Sequence, residues 1–264
     1  MRTLPRWSCT QDACRKKNSF TLSVCDSCGT ECPTFLPNHP DDWKTKEVSA
    51  ILGAFRNSID KIQIITGRGL EGTLTSGGVL AALDSVPLAV RMQSMFLDIG
   101  CGRGHVLLAA MVYGFAKVAG LEQCNFREQW ELRIKNARKV RASSQYRELW
   151  TQSDPQIFWN KPVRDLPALR RCIQQYRWHG LITIYLFWTG WAPNEKLAVL
   201  EYIRNDTQVR NVCIADECRR PQGHRRTFDF MQTAGFSVCG QRSGLSISCT
   251  AGSETFTLVC WQRL

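Results

Sequence analysis

Apolar runs alternate with amphipathic segments along most of the chain, which predicts an α/β fold. Between residues 96 and 122, an apolar strand, a glycine-rich turn, an apolar helix and a second strand follow one another. Leu181–Trp191 is another apolar, β-rich run and is expected to be the fourth strand of a parallel sheet. The later pattern predicts a helix at 194–204, a strand at 209–215, a helix at 225–233 and closing strands at 236–239 and 255–261.

Further helices are expected on either side of residues 96–122. A helix beginning near Trp43 brings one set of apolar residues onto a single face, namely Val48, Ile51, Leu52, Phe55 and Ile59. Leu70–Leu83 reads as a glycine-rich loop followed by a second helix. Phe126–Ser143 is a basic helix, and two interpretations of its charge stay open: a solvated face, or a contact with nucleic acid.

The glycine-rich turn carries the clearest chemistry. Gly100, Gly102 and Gly104 follow directly after Asp98, a spacing that differs from the G-x-G-x-x-G of dinucleotide-binding turns. No G-K-[ST] follows to hold a triphosphate. Glu122 ends the next apolar run, at a spacing that suits a carboxylate accepting both hydroxyls of a ribose. The pattern predicts a site for a small ligand with a nucleoside end.

Together these residues resemble motif I and the following acidic residue of class I S-adenosylmethionine-dependent methyltransferases. The resemblance implies a seven-stranded Rossmann-like sheet that binds S-adenosyl-L-methionine. It also implies that the glycines admit the cofactor, that Asp98 holds its amino-acid end and that Glu122 binds its ribose. The predicted cofactor-binding residues are Asp98, Gly100, Cys101, Gly102, Gly104, Glu122, Gln123, Glu71 and Thr73.

Glu71 and Thr73 belong to a segment that resembles one particular group of these enzymes. Dot-type histone-lysine methyltransferases carry Tyr-Gly-Glu-x-[Ser/Thr] before the cofactor strand, where this chain has Glu71-Gly72-Thr73-Leu74-Thr75. This resemblance implies a protein acceptor, a lysine amine in the first place, with a histone or the nucleosome among the candidate substrates.

The cysteines indicate a second, smaller module. Five of the thirteen lie in the first 32 residues, and four of these form a Cys-x4-Cys…Cys-x2-Cys pattern that suits a tetrahedral Zn²⁺ site. With Trp7 and Asn18, the pattern resembles zinc fingers of the Ran-binding-protein type, which implies that Cys9, Cys14, Cys25 and Cys28 hold a structural zinc ion. The predicted organisation is a finger at 1–33, a linker at 34–42 and a methyltransferase domain at 43–264, with a helical lead-in at 43–95.

The formal net charge of +11 favours an acidic partner such as nucleic acid or a nucleosome. No uninterrupted apolar run reaches the roughly 18 residues of a membrane span. The N-terminal residues lack the apolar core of a signal peptide. We therefore expect an intracellular protein, in the nucleus or the cytoplasm with the nucleus favoured, and no membrane partner.

The end of the fourth predicted strand narrows the acceptor chemistry. Phe187-Trp188-Thr189-Gly190 lacks the Asn/Asp-Pro-Pro-aromatic sequence of enzymes that methylate adenine or glutamine amide groups, and no Pro-Cys nucleophile is present. Transfer by alignment of a neutral nucleophile is expected instead. Trp188, Thr189 and Tyr185 are the predicted acceptor-side residues.

Two further clusters of residues lie near the end of the strand predicted at 209–215, one basic and one with metal-binding side chains. A cationic loop is expected to receive an acidic substrate and comprises Arg219, Arg220, His224, Arg225 and Arg226. A metal site formed by Cys213, Cys218 and His224 is conceivable.

Three functions remain open at this point. The first is protein-lysine methylation, the second is methylation of RNA or DNA guided by the finger and the basic helix, and the third is a non-catalytic binding module.

Overall fold

The computed structural model describes residues 6–8, 17–19, 40–53, 74, 76–162, 165–175, 177–189, 191–217, 221–245 and 256–263. Strands β1 (Arg6–Ser8) and β2 (Lys17–Ser19) pair antiparallel, with Trp7 opposite Asn18. The zinc ligands predicted above, Cys9, Cys14, Cys25 and Cys28, lie outside the described residues. The zinc finger therefore stays a prediction.

One mixed sheet of seven strands forms the centre of the described structure. Its strands are β3 (Ser94–Ile99), β4 (Lys117–Leu121), β5 (Gln156–Phe158), β6 (Leu181–Phe187), β7 (Val209–Glu217), β8 (Phe236–Leu245) and β9 (Phe256–Arg263). Their order across the sheet is β5-β4-β3-β6-β7-β9-β8. Neighbours from β5 to β7 are parallel, whereas β9 runs antiparallel to β7 and to β8. The strand order reverses between β3 and β6, and open α/β sheets bind their ligands at such a point.

Helices cover both faces of the sheet. They are α1 (Pro40–Gly53), α2 (Ser76–Asp84), α3 (Leu88–Arg91), α4 (His105–Val112), α5 (Arg127–Ser143), α6 (Leu166–Gln175), α7 (Pro193–Asn205) and α8 (Pro221–Thr233), with a 3₁₀ turn at Arg147–Leu149. Apolar residues of α1, α2, α4 and α5 form the core on one face. Those of α6, α7 and α8 form the core on the other.

This two-sided burial explains why the central elements are apolar without interruption. Every residue of β3 is buried, with Phe96 in the core under α4 and Leu97 in the opposite core. Helix α4 is buried from Val106 to Val112. The predicted α/β class and the closing antiparallel strands are confirmed.

Several predicted boundaries differ from the observed ones. Strand β6 ends at Phe187, so Trp188 and Thr189 leave the sheet instead of continuing it. Helix α8 begins at Pro221, which places His224, Arg225 and Arg226 in a helix and not in the predicted loop. Helix α1 begins at Pro40, inside the predicted linker, and proline suits the first turn of a helix.

None of the helices in the described ranges is long and apolar enough to cross a membrane.

Candidate functional site

The glycine turn after β3 is the centre of the candidate site. Gly100, Gly102 and Gly104 have φ angles of +78°, +51° and +80°, in the left-handed region that favours glycine. The N–H groups of Gly100 and Cys101 donate to the carbonyl of Leu121, at 2.8 and 3.1 Å. These bonds fasten the turn to the carboxyl end of the neighbouring strand β4.

The three glycines fall into two groups by what a side chain would meet at each position. A Cβ at Gly100 would lie 2.9 Å from the indole of Trp191, and one at Gly104 would lie 2.5 Å from the indole of Trp130. A Cβ at Gly102 would have no neighbour within 4 Å. Gly100 and Gly104 therefore make room for the protein's own aromatic rings, whereas Gly102 is the glycine that leaves space for a ligand.

Glu122 fixes the open part of the turn. Its Oε2 accepts the N–H of Gly102 at 2.7 Å, and its Oε1 accepts the N–H of Cys124 at 2.8 Å. The residue directly follows β4, and its own backbone pairs with Phe158 and Lys161 at the end of β5. The carboxylate is therefore buried and held in one orientation between two backbone donors.

Asp98 and Glu122 place two carboxyl groups in the same buried region. Burial raises the pKa of Asp98 well above its usual value, and the charge of Glu122 raises it further. Two buried carboxylates that repel one another favour a positively charged ligand, because such a ligand offsets the cost of keeping both ionised.

Cys101 and Cys124 lie next to these carboxyl groups, and Gln123 directly follows Glu122 in the chain. Cys101 is buried, and burial together with the charges of Asp98 and Glu122 raises the pKa of its thiol. Its Sγ lies 2.6 Å from the position that a Cβ at Gly120 would take, so this part of β4 has no room for a side chain. Gln123 is exposed.

A buried arginine holds the turn through a hydrogen bond to its backbone. Arg133 of α5 is only 3% exposed, and its Nη1 donates to the carbonyl of Arg103 at 2.9 Å and lies 3.2 Å from Nδ1 of His105. Burial, Arg133 and Arg103 lower the pKa of His105 to about 3. Since an arginine only donates, Nδ1 accepts and the ring proton of neutral His105 is on Nε2.

Arg133 corrects the solvated interpretation of the basic helix at this position. The sequence left a solvated face and a nucleic-acid contact open for this helix, and Arg133, one helical turn from the buried Trp130, serves neither. Phe126 and Trp159, which meet edge to face with centroids 6.4 Å apart, were also missed. Trp159 follows β5, and a strand of three residues is too short for its pattern to be recognised.

The predicted acceptor-side residues lie in or beside the two cores. Tyr185 packs in the core under α4, near Phe96, and Trp188 packs in the opposite core. Both are 1% exposed. Trp188 Nε1 and Thr189 Oγ1 are buried and have no hydrogen-bond partner within the described part of the chain. Their role in acceptor binding stays a prediction.

An ion pair lies next to Trp188. Lys196 Nζ of α7 is 3.4 Å from Asp216 Oδ2 at the end of β7, and it lies over the indole of Trp188 at 5.0 Å from the centroid. A small cavity beside this pair is lined by Trp188, Ile214, Asp216, Thr227, Phe228, Val259 and Trp261.

Glu71 and Thr73 lie outside the described residues, as does Cys218 of the conceivable metal site. Cys213 is buried in β7. In the described ranges no three His, Cys, Asp or Glu side chains are grouped to hold a metal ion.

Comparison with solved structures identifies the fold. A Pyrococcus horikoshii protein assigned as an RNA methyltransferase aligns with 83% of this chain and 99% of its own, at a TM-score of 0.54 and 11% identity. The branched-chain polyamine synthase from Thermus thermophilus, in complex with N4-aminopropylspermidine and 5′-methylthioadenosine, aligns with 83% of this chain and 64% of its own, at a TM-score of 0.56 and 13% identity.

The fold is that of class I methyltransferases. No family model matches the chain, and no curated protein matches it. The resemblance seen in the sequence is therefore confirmed at the level of the sheet and its helices.

The residues present at the glycine turn fit S-adenosylmethionine, the cofactor of this fold class. The cofactor carries an ammonium and a sulfonium group, and the buried pair Asp98 and Glu122 favours a cation. A Cβ at Gly102 would meet no neighbour within 4 Å, and the N–H of Gly102 donates to the Glu122 carboxylate, so this side of the turn has open space next to a buried acceptor.

Proposed function

We propose that the protein is an S-adenosylmethionine-dependent methyltransferase. The observation that carries this proposal is the Glu122 carboxylate, which is buried, oriented by the N–H of Gly102 and placed beside the open side of the glycine turn. A carboxylate held in this way is prepared to accept the two hydroxyls of a ribose. The site lies at the carboxyl ends of β3 and β4, beside the point where the strand order reverses.

Each residue around the turn has a distinct role in this proposal. Glu122 binds the ribose, Asp98 attracts the ammonium end, and Gly102 allows the ligand to approach the backbone. Arg133 keeps the turn in place through the carbonyl of Arg103. Glu71 and Thr73 are proposed to cover the amino-acid end. The cofactor itself supplies an electrophilic methyl group, so the chain's residues only need to align the acceptor and exclude water.

For the acceptor we favour RNA over protein. The net charge of +11 suits a polyanion, and the Pyrococcus horikoshii protein with this fold is assigned as an RNA methyltransferase. Exposed cations of α5 that extend this argument are Arg127, Lys135 and Lys139.

A protein-lysine acceptor is the second candidate. It rests on the likeness of Glu71–Thr75 to the Dot-type segment, and a histone or nucleosomal substrate and a nuclear location would follow from it. The predicted acceptor-side residues Tyr185 and Trp188 add little support to this candidate, because both side chains are buried in the cores. We also propose that Cys9, Cys14, Cys25 and Cys28 hold a structural zinc ion, in a module that would guide the substrate of either candidate.

Two measurements test the proposal. Calorimetric titration with S-adenosylmethionine should show binding by the wild-type chain and none by the Asp98→Ala variant; absence of binding by the wild type would contradict the proposal. Transfer of tritiated methyl into a cell extract, followed by separate nuclease and protease treatment, then identifies the acceptor. Label lost to nuclease supports RNA, and label lost to protease supports the lysine candidate.

A further inference from the structure

Trp191 occupies a particular place between the acceptor strand and the glycine turn. It follows the end of β6, and its N–H donates to the carbonyl of Trp188 at 3.1 Å. Its indole lies over Gly100, where a Cβ would be 2.9 Å from Cζ2, 3.6 Å from Cε2 and 3.7 Å from Nε1. The residue packs against the core on the side of α6, α7 and α8 and is only partly buried.

Trp191 lies at the end of the sheet where ligands of this kind of fold bind. β3 and β6 are adjacent parallel strands, and the strand order reverses between them, which is where ligands of such sheets bind. Glu122 lies on the other side of β3, after β4, and fixes the nucleoside end there. A ligand that extends from Glu122 across the turn therefore brings its opposite end to the indole of Trp191.

The ring of Trp188 supports the orientation of Trp191. Its ring meets that of Trp188 edge to face, with centroids 6.5 Å apart and an angle of 63° between the planes. Trp188 is buried, and the ammonium of Lys196 lies over its ring. Gly100 has no side chain that would displace the Trp191 indole. The ring is therefore held by contacts on two sides while part of it remains accessible.

We propose that Trp191 is a cofactor-contacting residue whose indole face stabilises the sulfonium centre of S-adenosylmethionine by a cation–π interaction. The inference rests on the proposed function. The sulfonium is a cation that is weakly hydrated because its alkyl substituents keep water away from the sulfur. An indole is the best aromatic partner for a cation. The product, S-adenosylhomocysteine, has a neutral thioether at this position, so Trp191 distinguishes the methyl donor from the product.

The test compares the dissociation constants of S-adenosylmethionine and S-adenosylhomocysteine for three variants, by calorimetry. Trp191→Leu should weaken binding of the sulfonium ligand by about 2- to 30-fold, the range of a cation–π contact, and change binding of the thioether much less. Trp191→Phe, which keeps an aromatic face, should lie between wild type and Trp191→Leu.

Trp178→Phe is the matched control. This tryptophan packs on a glycine at the opposite end of the same strand, with Cζ2 2.6 Å from the position of a Cβ at Gly180. Its Nε1 donates to the carbonyl of Leu181 at 2.8 Å. The control should keep the wild-type ratio of the two dissociation constants.

The outcomes separate this inference from the proposed function. If Trp191→Leu weakens both ligands equally, the ring has a structural role and the inference is overturned while the proposed function stands. If the ratio changes in Trp191→Leu and not in Trp178→Phe, the inference is supported. If the wild-type chain binds neither ligand, the proposed function fails, and the inference fails with it. Circular dichroism of each variant establishes that it is folded.

Discussion

The two ends of the site differ in how their polar groups are paired. At the glycine turn, Glu122 accepts two backbone N–H groups and Arg133 donates to the turn's own carbonyl. At the end of β6, Trp188 Nε1 and Thr189 Oγ1 are buried without a hydrogen-bond partner among the described residues. His105 Nε2 at the first end is also buried without a partner in the described ranges, but the Glu122 carboxylate there is paired through both oxygens, whereas neither Trp188 Nε1 nor Thr189 Oγ1 is paired at the second end.

This difference concerns the energetic cost of unpaired polar groups in the cofactor-free protein. A buried donor without a partner costs about 1–3 kcal/mol, so native proteins keep few of them. Trp188 Nε1 and Thr189 Oγ1 are two such groups, directly after the end of β6. The glycine turn instead needs its geometry intact before any ligand arrives.

The largest expected effect is on the free energy of unfolding, when alanine replaces single glycines of the turn. Gly104→Ala places a Cβ 2.5 Å from Trp130 at a φ of +80°, and we expect a loss of about 2–5 kcal/mol of unfolding free energy from overpacking and backbone strain. Gly102→Ala meets no neighbour and should cost about 1–2 kcal/mol, from the left-handed backbone alone.

Cofactor affinity should show the reverse order at these two positions. A Cβ at Gly102 enters the space left for the ligand, so Gly102→Ala should weaken S-adenosylmethionine binding more than its stability cost suggests. Denaturant unfolding and calorimetric titration of both variants measure the two quantities. Equal loss of affinity in a folded Gly104→Ala and in Gly102→Ala would contradict the assignment of Gly102 as the ligand-facing glycine.

Glu122→Gln should have the next largest effect. The substitution removes the charge and turns one acceptor oxygen into a donor, which opposes the N–H of Gly102 or Cys124. Hydrogen bonds to a charged group contribute about 1.5–3 kcal/mol each, so we expect binding at least about 100-fold weaker. Calorimetry measures the loss, and Glu131→Gln, at an exposed position of α5, is the control that should bind normally.

These positions also show what could be predicted from the sequence. Asp98, the three glycines and Glu122 are predicted because each lies within a few residues of a regular strand or helix, and the chain order of those elements fixes their neighbours. The contacts that give the glycines their separate roles could not be predicted. Trp130 and Trp191 reach the turn from α5 and from the end of β6, and no local pattern shows such long-range packing.

The burial of Arg133 could not be predicted either. One basic residue on the inner face of a helix that is basic throughout gives no distinct signal in the sequence. Strand β5 was missed because three residues carry almost no period.

A smaller effect is expected from Asp98→Asn, and it depends on pH. Burial and the charge of Glu122 raise the pKa of Asp98 in the folded chain above its unfolded value. The folded state therefore binds the proton more tightly, and the stability of the cofactor-free protein should fall as pH rises from the ordinary Asp range through the raised pKa. Asparagine removes this dependence.

Thermal unfolding between pH 4 and pH 8 measures the effect. Without cofactor, the variant's melting temperature should exceed that of the wild type at pH 8, and the gap should narrow toward pH 4. The same variant should lose cofactor affinity, because it lacks the charge that attracts the ammonium group. A gap that widens toward acid pH would show that the Asp98 carboxylate stabilises the empty protein, contrary to a raised pKa of Asp98.

The smallest effect should come from Trp188→Phe, which tests the unpaired donors directly. The substitution removes an indole N–H that has no partner in the described structure, so the energy recovered offsets part of the packing that is lost, and we expect a net change within about 1 kcal/mol. Trp150→Phe removes an equally buried indole whose Nε1 donates to Glu47 Oε2 at 2.6 Å, and it should cost about 1–3 kcal/mol more.

Because both variants lose the same volume, the difference in unfolding free energy between them reports the hydrogen bond. If Trp188→Phe is as costly as Trp150→Phe, the Trp188 N–H is already satisfied in solution and the end of β6 has no unused indole donor. If it is cheap and also lowers the rate of methyl transfer while cofactor affinity stays unchanged, the unused N–H belongs to the acceptor.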